Sequence, residues 1–499
     1  MRVDRRKFIK NTICAALGGA SVYSALGQMQ LLQAAARINY SFPVGDYKAL
    51  ICVFLYGGND SFNTVVPYTQ GAFDSFYTGS SAVRPALALA RAQLHPLSDP
   101  TGSSKDGIQY ALHPLMPELA GVFNAGKAAI VANTGTLVGP LTQADYQAGI
   151  KAQPPQLYSH SDQSAYWQSS PPSNAPASGW GGRIADLVAS ANTGGAPILT
   201  GVGGGDFFTR GQDINGYIMN TGGAPMLDFQ YDPIQPPNSI QDQFNTLYTA
   251  GTQANALERT YAAAMNHSAA TAGIINAALA AHDFSFFFPG ATGGLDSQLQ
   301  TVAQLIWAAN NGVAGYTGLQ RQVFFVSAGG YDTHSGQLAA QTDNMTLLSK
   351  SLAGFYNALS SVGLASKATA FTASDFGRSM TSNDSGTDHG WGSHHFVVGG
   401  AVNGGKFYGN GCNFPAGQQA ANYGLVMPSL VNPTDAPNVY NVSPNLNDPG
   451  DGYGRFIPTT SVDQYGATLA KWFGLSDSDI DLVFPNLALN FSIRNLGFV

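Results

Sequence analysis

Charged side chains are scarce in this sequence of 499 residues. Asp, Glu, Lys and Arg together make up 11% of it, and the formal net charge is −7 at pH 7. A protein that binds nucleic acid needs a surplus of Lys and Arg to neutralise phosphate groups. This acidic chain lacks that surplus, and we therefore exclude nucleic acid as an expected partner.

The N-terminal region has no apolar run long enough to anchor the chain in a membrane. Its apolar run, residues 11–26, falls short of the about 20 residues that a membrane-spanning helix needs. Arg5 and Arg6 precede this run, and the small residues 34–36 follow it. This order is typical of a twin-arginine signal peptide that is cut after its small residues. We expect residues 1–36 to direct export of the folded chain to the periplasm or beyond, with no stable membrane span after cleavage.

Cysteine is also rare, with three residues in the whole chain. Cys14 would leave with the signal peptide, Cys52 lies in a strongly apolar segment, and Cys412 lies in a turn rich in Gly and Asn. A disulfide between the last two is compatible with the periplasm. Two buried thiols are equally compatible, and the sequence leaves both alternatives open.

Apolar segments of strand length alternate with helical segments along the rest of the chain. This alternation predicts an α/β fold, with a doubly wound, mostly parallel sheet sandwiched by helices. Residues 37–499 exceed the roughly 250–300 residues that one core usually holds, so we expect a single domain enlarged by loop-rich insertions near residues 70–106 and 204–241. The expected strands are residues 48–56, 127–133, 197–202, 322–328, 368–374 and 396–402, and the expected helices are residues 113–124, 240–281, 295–310, 336–362 and 461–473.

Turns that contain glycine, acids and histidines follow three of the expected strands, and a further segment of this composition follows the third. In an open α/β sheet, ligands bind outside the carboxyl ends of the strands, so these side chains are expected to converge. Carboxylates and imidazoles are the ligands of zinc, manganese and related divalent ions. The alternative is that the acids cap helices or turns and the histidines satisfy loop hydrogen bonds. The candidate metal ligands are Asp60, Asp332, His334, Asp375, Asp388, His389, His394 and His395.

Several longer segments carry a resemblance to a known family. LYGGNDSFNTVVPY, GGYDTH, SDFGR and TDHGWGSHHFVVGGAVNGGKFYG, with the late SVDQYGATLAKWFGL and VFPNL, resemble bacterial "domain of unknown function 1501" proteins. The resemblance covers nearly all of the chain after the signal peptide. That family is usually placed in the alkaline-phosphatase/sulfatase-like superfamily, and this placement implies a doubly wound α/β sandwich, often with two metal ions. Its members commonly carry twin-arginine signals.

The resemblance also implies roles for the candidate ligands. Asp60 looks like the acid that ligates the metal on the nucleophile side, and Asp332 and His334 look like ligands of the second metal. Two ions about 4 Å apart would clamp the attacking and leaving oxygens of a phosphoryl or sulfuryl group. One of His394 and His395 is expected to supply the final ligand.

One triplet departs from the superfamily pattern. Asp388-His389-Gly390 has the residue types of its Asp-His-Gly triplet, but that triplet normally follows a strand directly, where this chain has Asp375-Phe376-Gly377. Either Asp375 is the equivalent acid and Phe376 replaces a histidine, or Asp388 and His389 have taken over the role. We expect His389 to point into the cleft with Asp60, and Asp375 to lie nearby as a ligand or bonded to a ligating histidine.

The nucleophile of such enzymes is a Ser, a Thr or a modified Cys at the N-terminus of a helix. The segment Tyr158-Ser159-His160 resembles the Ser-His segment of the family, so Ser159 is the expected nucleophile, with a helix N-cap as its alternative. A modified cysteine is not supported, because Cys52 lies in a strand and Cys412 lacks the expected neighbours. Arg378 is expected to bind an anionic oxygen of the substrate, with a salt bridge as its alternative.

The sequence thus predicts an exported hydrolase of phosphate or sulfate esters that depends on divalent metal, two ions of zinc or manganese. Its partner would be a small or polymeric anionic ester. The alternative is a non-catalytic periplasmic or surface-associated protein that keeps the same fold for binding. The phenylalanine at position 376 and the unconfirmed nucleophile favour that alternative.

Export can be tested at the paired arginines. We expect Arg5→Lys combined with Arg6→Lys to leave uncleaved precursor in the cytoplasm, because the pathway reads the arginine pair. Fractionation followed by immunoblotting measures this, with Arg2→Lys as the matched control. Normal periplasmic maturation of the double variant would refute the assignment.

Overall fold

A computed structural model describes residues 45–80, 82–101, 103, 108–172, 177–224, 255–409 and 453–499. Within these ranges the protein has an α/β fold, in which helices pack on a large mixed sheet that is mostly parallel. The predicted signal peptide and Cys412 lie outside the described residues. None of the described helices is both long and apolar enough to cross a membrane.

The elements are numbered in chain order. The strands are β1 (Lys48–Leu55), β2 (Val65–Pro67), β3 (His95–Pro96), β4 (Tyr110–Leu112), β5 (Ala128–Gly135), β6 (Leu199–Val202), β7 (Tyr217–Met219), β8 (Arg321–Ala328), β9 (Ala368–Ser374), β10 (Arg378–Ser382), β11 (Thr387–His389), β12 (Ser393–Gly399), β13 (Lys406–Tyr408) and β14 (Thr460–Ser461). The α-helices are α1 (Ser61–Thr64), α2 (Gln70–Phe73), α3 (Pro117–Asn124), α4 (Gln143–Ala148), α5 (His160–Ser169), α6 (Trp180–Val188), α7 (Ala256–Ala280), α8 (Leu295–Asn310), α9 (Gln337–Ser361), α10 (Val462–Phe473), α11 (Asp477–Val483) and α12 (Pro485–Asn490).

The main sheet has nine strands, in the order β13-β5-β12-β9-β1-β8-β6-β7, with β14 added to β5. Strand β12 runs antiparallel to both of its neighbours, β9 and β5, and the other pairings in this sheet are parallel. The central strands end level with one another, because Leu55 of β1 pairs with Ala328 of β8 and with Ser374 of β9. The turns after these three strands therefore leave the sheet side by side.

Side chains of the central strands alternate between the two faces of the sheet, as the two-residue period of a strand requires. In β1, Ala49, Ile51, Val53 and Leu55 join one hydrophobic cluster, and Leu50, Cys52 and Phe54 join the other. Helices α3, α8 and α9 cover the first face, and α6, α10 and α12 cover the second. Burial raises the pKa of the Cys52 thiol, so this cysteine behaves as a core residue.

Most predicted elements coincide with observed ones, including strand 368–374 and helix 295–310. The strand expected at 396–402 instead spans Ser393–Gly399, so it contains the two histidines that were expected in a loop. The segment expected as a surface insertion from residue 204 contributes β7 to the edge of the main sheet. Residues 225–254, which hold the end of that insertion and the start of helix 240–281, lie outside the described residues.

The insertion near residues 70–106 consists of short elements, and a buried ion pair ties it to the sheet. Arg84 comes from this insertion and donates to both carboxylate oxygens of Asp60, at 3.1 and 2.9 Å. Both side chains are at most 1% exposed. Asp60 also caps α1 by accepting from the Phe62 N–H, and it accepts from the Gln337 amide. Its carboxylate therefore joins three parts of the chain.

We expect Arg84→Met to lower the free energy of unfolding by about 3–5 kcal/mol, because it leaves the Asp60 carboxylate buried without its partner. Urea denaturation measures this change. Adding Asp60→Asn should restore part of the loss, since it removes the unpaired charge. Arg91→Met is the matched control from the same insertion, because Arg91 is only partly buried and stacks on Tyr68. A loss below about 1 kcal/mol for Arg84→Met would contradict the prediction.

Candidate metal centre

Three segments bring histidines and an acid together at the carboxyl edge of the main sheet. Asp332 and His334 follow β8, and His160 is the first residue of α5. His389 ends β11, which pairs with β10 in a two-stranded antiparallel sheet that places it opposite Arg378. We call His160, His334, His389 and Asp332 the histidine cluster.

Three imidazole Nε2 atoms and one carboxylate meet in the histidine cluster. His389 Nε2 lies 3.1 Å from His160 Nε2 and 2.9 Å from His334 Nε2. Asp332 Oδ2 lies 3.4 Å from His160 Nε2, and Asp332 Oδ1 lies 3.1 and 3.4 Å from the Nε2 atoms of His334 and His389. The side chains are between 22% and 46% exposed, so the cluster is open to solvent on one side.

Hydrogen bonds on the far side of two rings determine which nitrogen carries the proton. His389 Nδ1 lies 2.8 Å from the carbonyl oxygen of Tyr158, which can only accept. His160 Nδ1 lies 2.6 Å from the carboxylate oxygen Oδ2 of Asp375. Both Nδ1 atoms therefore donate, and in the neutral imidazole each Nε2 is an unprotonated acceptor. Their two lone pairs then face each other at 3.1 Å, and either a metal ion or a proton on one of the nitrogens would relieve the repulsion.

His334 repeats this arrangement, because its Nδ1 lies 3.2 Å from Asp388 Oδ1 and its Nε2 faces the cluster. Hydrogen bonds, burial and nearby charges shift the pKa values of the other three cluster residues in different directions. The hydrogen bond to Asp375 raises the pKa of His160, and burial lowers the pKa of His389. Burial opposes ionisation of Asp332, but the Arg378 guanidinium outweighs it and lowers the pKa of that carboxyl.

The donor set fits one divalent ion. Zinc–imidazole bonds of about 2.0–2.1 Å place neighbouring ligand atoms about 3.3 Å apart in a tetrahedron, and octahedral coordination places them about 3.0 Å apart. The contacts between donor atoms of the histidine cluster fall between 2.9 and 3.4 Å. His160, Asp332 and His389 each offer one atom within 4.8 Å of the other two. Imidazoles held by a carboxylate or a carbonyl are the usual form of such ligands.

Close packing beneath the cluster sets the positions of its rings. The Phe376 ring is buried, and its centre lies 4.7 Å from those of both His160 and His389. Gly57, with φ of +116°, brings the turn after β1 so close that a Cβ would lie 2.3 Å from the Asp332 nitrogen. The Gly57 N–H donates to Asp375 at 3.0 Å. Phe376 thus packs against two histidine rings, at the position where the superfamily triplet has a histidine.

Five of the predicted ligands lie outside the histidine cluster, and three of these are held by other parts of the protein. Asp60 is occupied by Arg84, as described above. His394 accepts from the Asn133 N–H through Nδ1, and His395 contacts Trp167 with its ring. Both histidines are buried within β12, and burial lowers the pKa of each to about 3. The expectation that His389 shares the cleft with Asp60 and one of these histidines is wrong, because the sheet core and the insertion hold their side chains.

The remaining predicted residues take specific places. Asp375 lies behind His160, and Asp388 lies behind His334. Arg378 is not available to a substrate, because its buried guanidinium donates to Asp332 at 2.7 Å, to Gly57 O and to the Thr387 carbonyl. Its salt-bridge alternative is the one observed.

Ser159 occupies the N-cap position of α5, and its hydroxyl donates to Asp162. The residue that sequence reasoning missed is His160, the member of the Ser-His segment that faces the cluster. The sequence predicts Ser159 of this segment as the nucleophile and gives no role to His160. The tight contact between His160 and Asp375 joins residues 215 positions apart, and nothing in the local sequence indicates it.

Comparison with known proteins identifies a family but no activity. A family model described as "Protein of unknown function (DUF1501)" matches residues 47–431. This range contains every residue of the histidine cluster. No curated protein matches the chain.

Metal binding can be tested by removing single donors. We expect His160→Ala and His389→Ala each to lower zinc affinity at least 100-fold, and Asp375→Asn to lower it about 10–100-fold through its bond to His160. Competition with a chromogenic chelator measures the affinity. His282→Ala is the matched control, because that imidazole stacks on Trp307. Wild-type affinity in both cluster variants would show that the ion does not bind here.

Proposed function

Since the chain belongs to the DUF1501 family, whose function is unknown, we propose from the geometry of its site that it is a metal-dependent hydrolase of phosphate or sulfate esters. The observation that carries the proposal is the convergence of imidazole Nε2 atoms and one carboxylate at a solvent-open edge of the sheet. A closed site would suit a structural ion, whereas a hydrolytic ion needs an open position for substrate.

The residues that would hold the ion are His160, His389 and Asp332, and His334 lies beside them. When bound, zinc or manganese supplies Lewis-acid stabilisation of the negative charge that develops on the ester oxygens. Arg378 keeps the Asp332 carboxylate ionised and oriented. Asp375 and Asp388 hold the rings of His160 and His334 with their Nε2 atoms directed inward. Within the described residues no second group of three such donors is found, so we propose one ion.

Ser159 is the proposed nucleophile. Its hydroxyl lies next to the ligand His160 in the chain and at the N-cap of α5, where backbone N–H groups and the helix dipole favour negative charge. Asp162 accepts its hydrogen bond and would take the proton as the Ser159 oxygen forms its bond to phosphorus or sulfur. The bond from that atom to the alcohol oxygen breaks, and the alcohol leaves with the proton that Asp162 took. Water then forms a bond to the same phosphorus or sulfur atom, the bond to the Ser159 oxygen breaks, and that oxygen takes a proton from the water.

Two broader assignments belong to this proposal. Residues after the parallel strands β8 and β9 build the site, and this placement supports membership of the alkaline-phosphatase/sulfatase-like superfamily. Export through the twin-arginine pathway would let the chain fold and acquire its metal before it leaves the cytoplasm. Such control matters because affinity alone does not select the correct ion.

A second candidate is metal-dependent binding without turnover. It is favoured by the engagement of Asp60 with Arg84 and of Arg378 with Asp332, because neither residue remains free to assist a reaction. In that case the ion would bind an anionic group of a glycan or partner, and the ester bond would stay intact.

Hydrolysis of p-nitrophenyl phosphate and p-nitrophenyl sulfate by the zinc- and manganese-loaded protein separates the two candidates. We expect measurable turnover that falls at least 10³-fold in Ser159→Ala, because the attacking oxygen is gone, while zinc affinity stays unchanged. His282→Ala should retain full activity. A protein that binds metal tightly but cleaves neither ester supports the binding candidate, and full activity in Ser159→Ala would exclude that serine as the nucleophile.

A further inference from the structure

A cavity of about 410 Å³ opens beside the histidine cluster. This volume lies within the range of about 300–1,000 Å³ that is usual for small-molecule sites. Its lining residues come from the end of β1, from α5 and from the loop after β6, and they are Tyr56, Ser161, Ser164, Ala165, Gln168, Gly205, Asp206, Phe207 and Arg210.

The cavity and the cluster share two structural elements. Ser161 follows the cluster residue His160 in α5, and Ser164, Ala165 and Gln168 lie three, four and seven positions further on, so one face of this helix forms a wall. Tyr56 immediately precedes the turn whose Gly57 N–H donates to Asp375. A molecule bound at the cluster therefore has the cavity as its neighbour.

The lining combines polar groups with apolar surface and is not strongly charged. It offers three hydroxyl groups, the Gln168 amide, one carboxyl from Asp206 and one guanidinium from Arg210. Such a set can both donate and accept hydrogen bonds, and its opposite charges balance. Phe207 contributes an aromatic ring, and large aliphatic side chains are absent from the lining. This composition suits a neutral group rich in hydroxyls.

Two polar groups of the lining are held in place by the protein itself. Gln168 Oε1 accepts from the N–H groups of Phe207 and Phe208 at 2.8 and 3.0 Å, and this fixes the amide plane. The Arg210 guanidinium lies over the Phe207 ring, 5.1 Å from its centre. A guanidinium presents several N–H donors in one plane, and its contact with the ring restricts its movement before a ligand binds.

We propose that this cavity binds the alcohol part of the ester and that this part is a hydroxyl-rich group of sugar size. The inference rests on the proposed function, since the histidine cluster then takes the phosphate or sulfate part. The Ser164 and Arg210 side chains are the specificity-determining groups.

Calorimetric titration of the zinc-loaded protein tests the inference through binding, independently of turnover. The probes are the 6-phosphates and 6-sulfates of glucose, galactose and N-acetylglucosamine, and hexyl phosphate and hexyl sulfate are the matched esters without hydroxyls. We expect at least one sugar ester to bind ten-fold or more tightly than its hexyl counterpart. Arg210→Ala and Ser164→Leu should remove this preference and leave zinc affinity unchanged.

Control variants come from exposed helical positions outside the cavity. Arg259→Ala on α7 and Ser360→Leu on α9 should retain the preference for the sugar esters. Preferential binding without cleavage would uphold the cavity assignment and refute hydrolysis. Equal or tighter binding of the hexyl esters, no binding of any ester, or an unchanged preference in both cavity variants would overturn the inference.

Discussion

The parallel pairing of β1 with β8 and β9 is the constraint on which the candidate site depends. These strands lie about 270 and 320 positions apart in sequence, yet the ladders align Leu55, Ala328 and Ser374 at one level. The turns that leave the sheet there lie side by side, so residues distant in sequence can meet at this edge. The Asp375 carboxylate strengthens the alignment, because one oxygen accepts from the Gly57 N–H and contacts His160. The α/β class and the edge that carries the polar residues could be predicted for this reason.

The identity of the converging side chains could be predicted only in part, because partners distant in sequence decide it. Asp60 and Asp332 both follow glycine-containing turns, and each binds an arginine. Arg84 buries Asp60 completely, whereas Arg378 leaves Asp332 45% exposed and facing three imidazoles. No local pattern distinguishes these two outcomes. His394 and His395 illustrate a different difficulty, since a strand that began three residues earlier than expected placed both of them in the core.

Phe376 shows how a departure from a familiar pattern can preserve a site. A phenylalanine cannot coordinate metal, yet its ring contacts two of the imidazoles that converge here. An apolar support restricts those rings without competing for their lone pairs. His160, brought in by helix α5, contacts the Asp375 carboxylate and lies against the Phe376 ring. The histidines at this edge therefore come from α5, from the turn after β8 and from β11.

Strand β12 has a further consequence because, in the described part of the main sheet, it runs antiparallel to both of its neighbours. The chain leaves β9 at Ser374 and re-enters the sheet at Ser393 from the same edge, so the residues between them need not cross the sheet. Asp375, Phe376, Arg378, Asp388 and His389 all belong to that excursion. Its length and sequence can change without altering the register of any strand in the main sheet. Residues 375–392 could therefore vary in evolution while the sheet stays the same. Related chains with this architecture could then carry different chemistry or none.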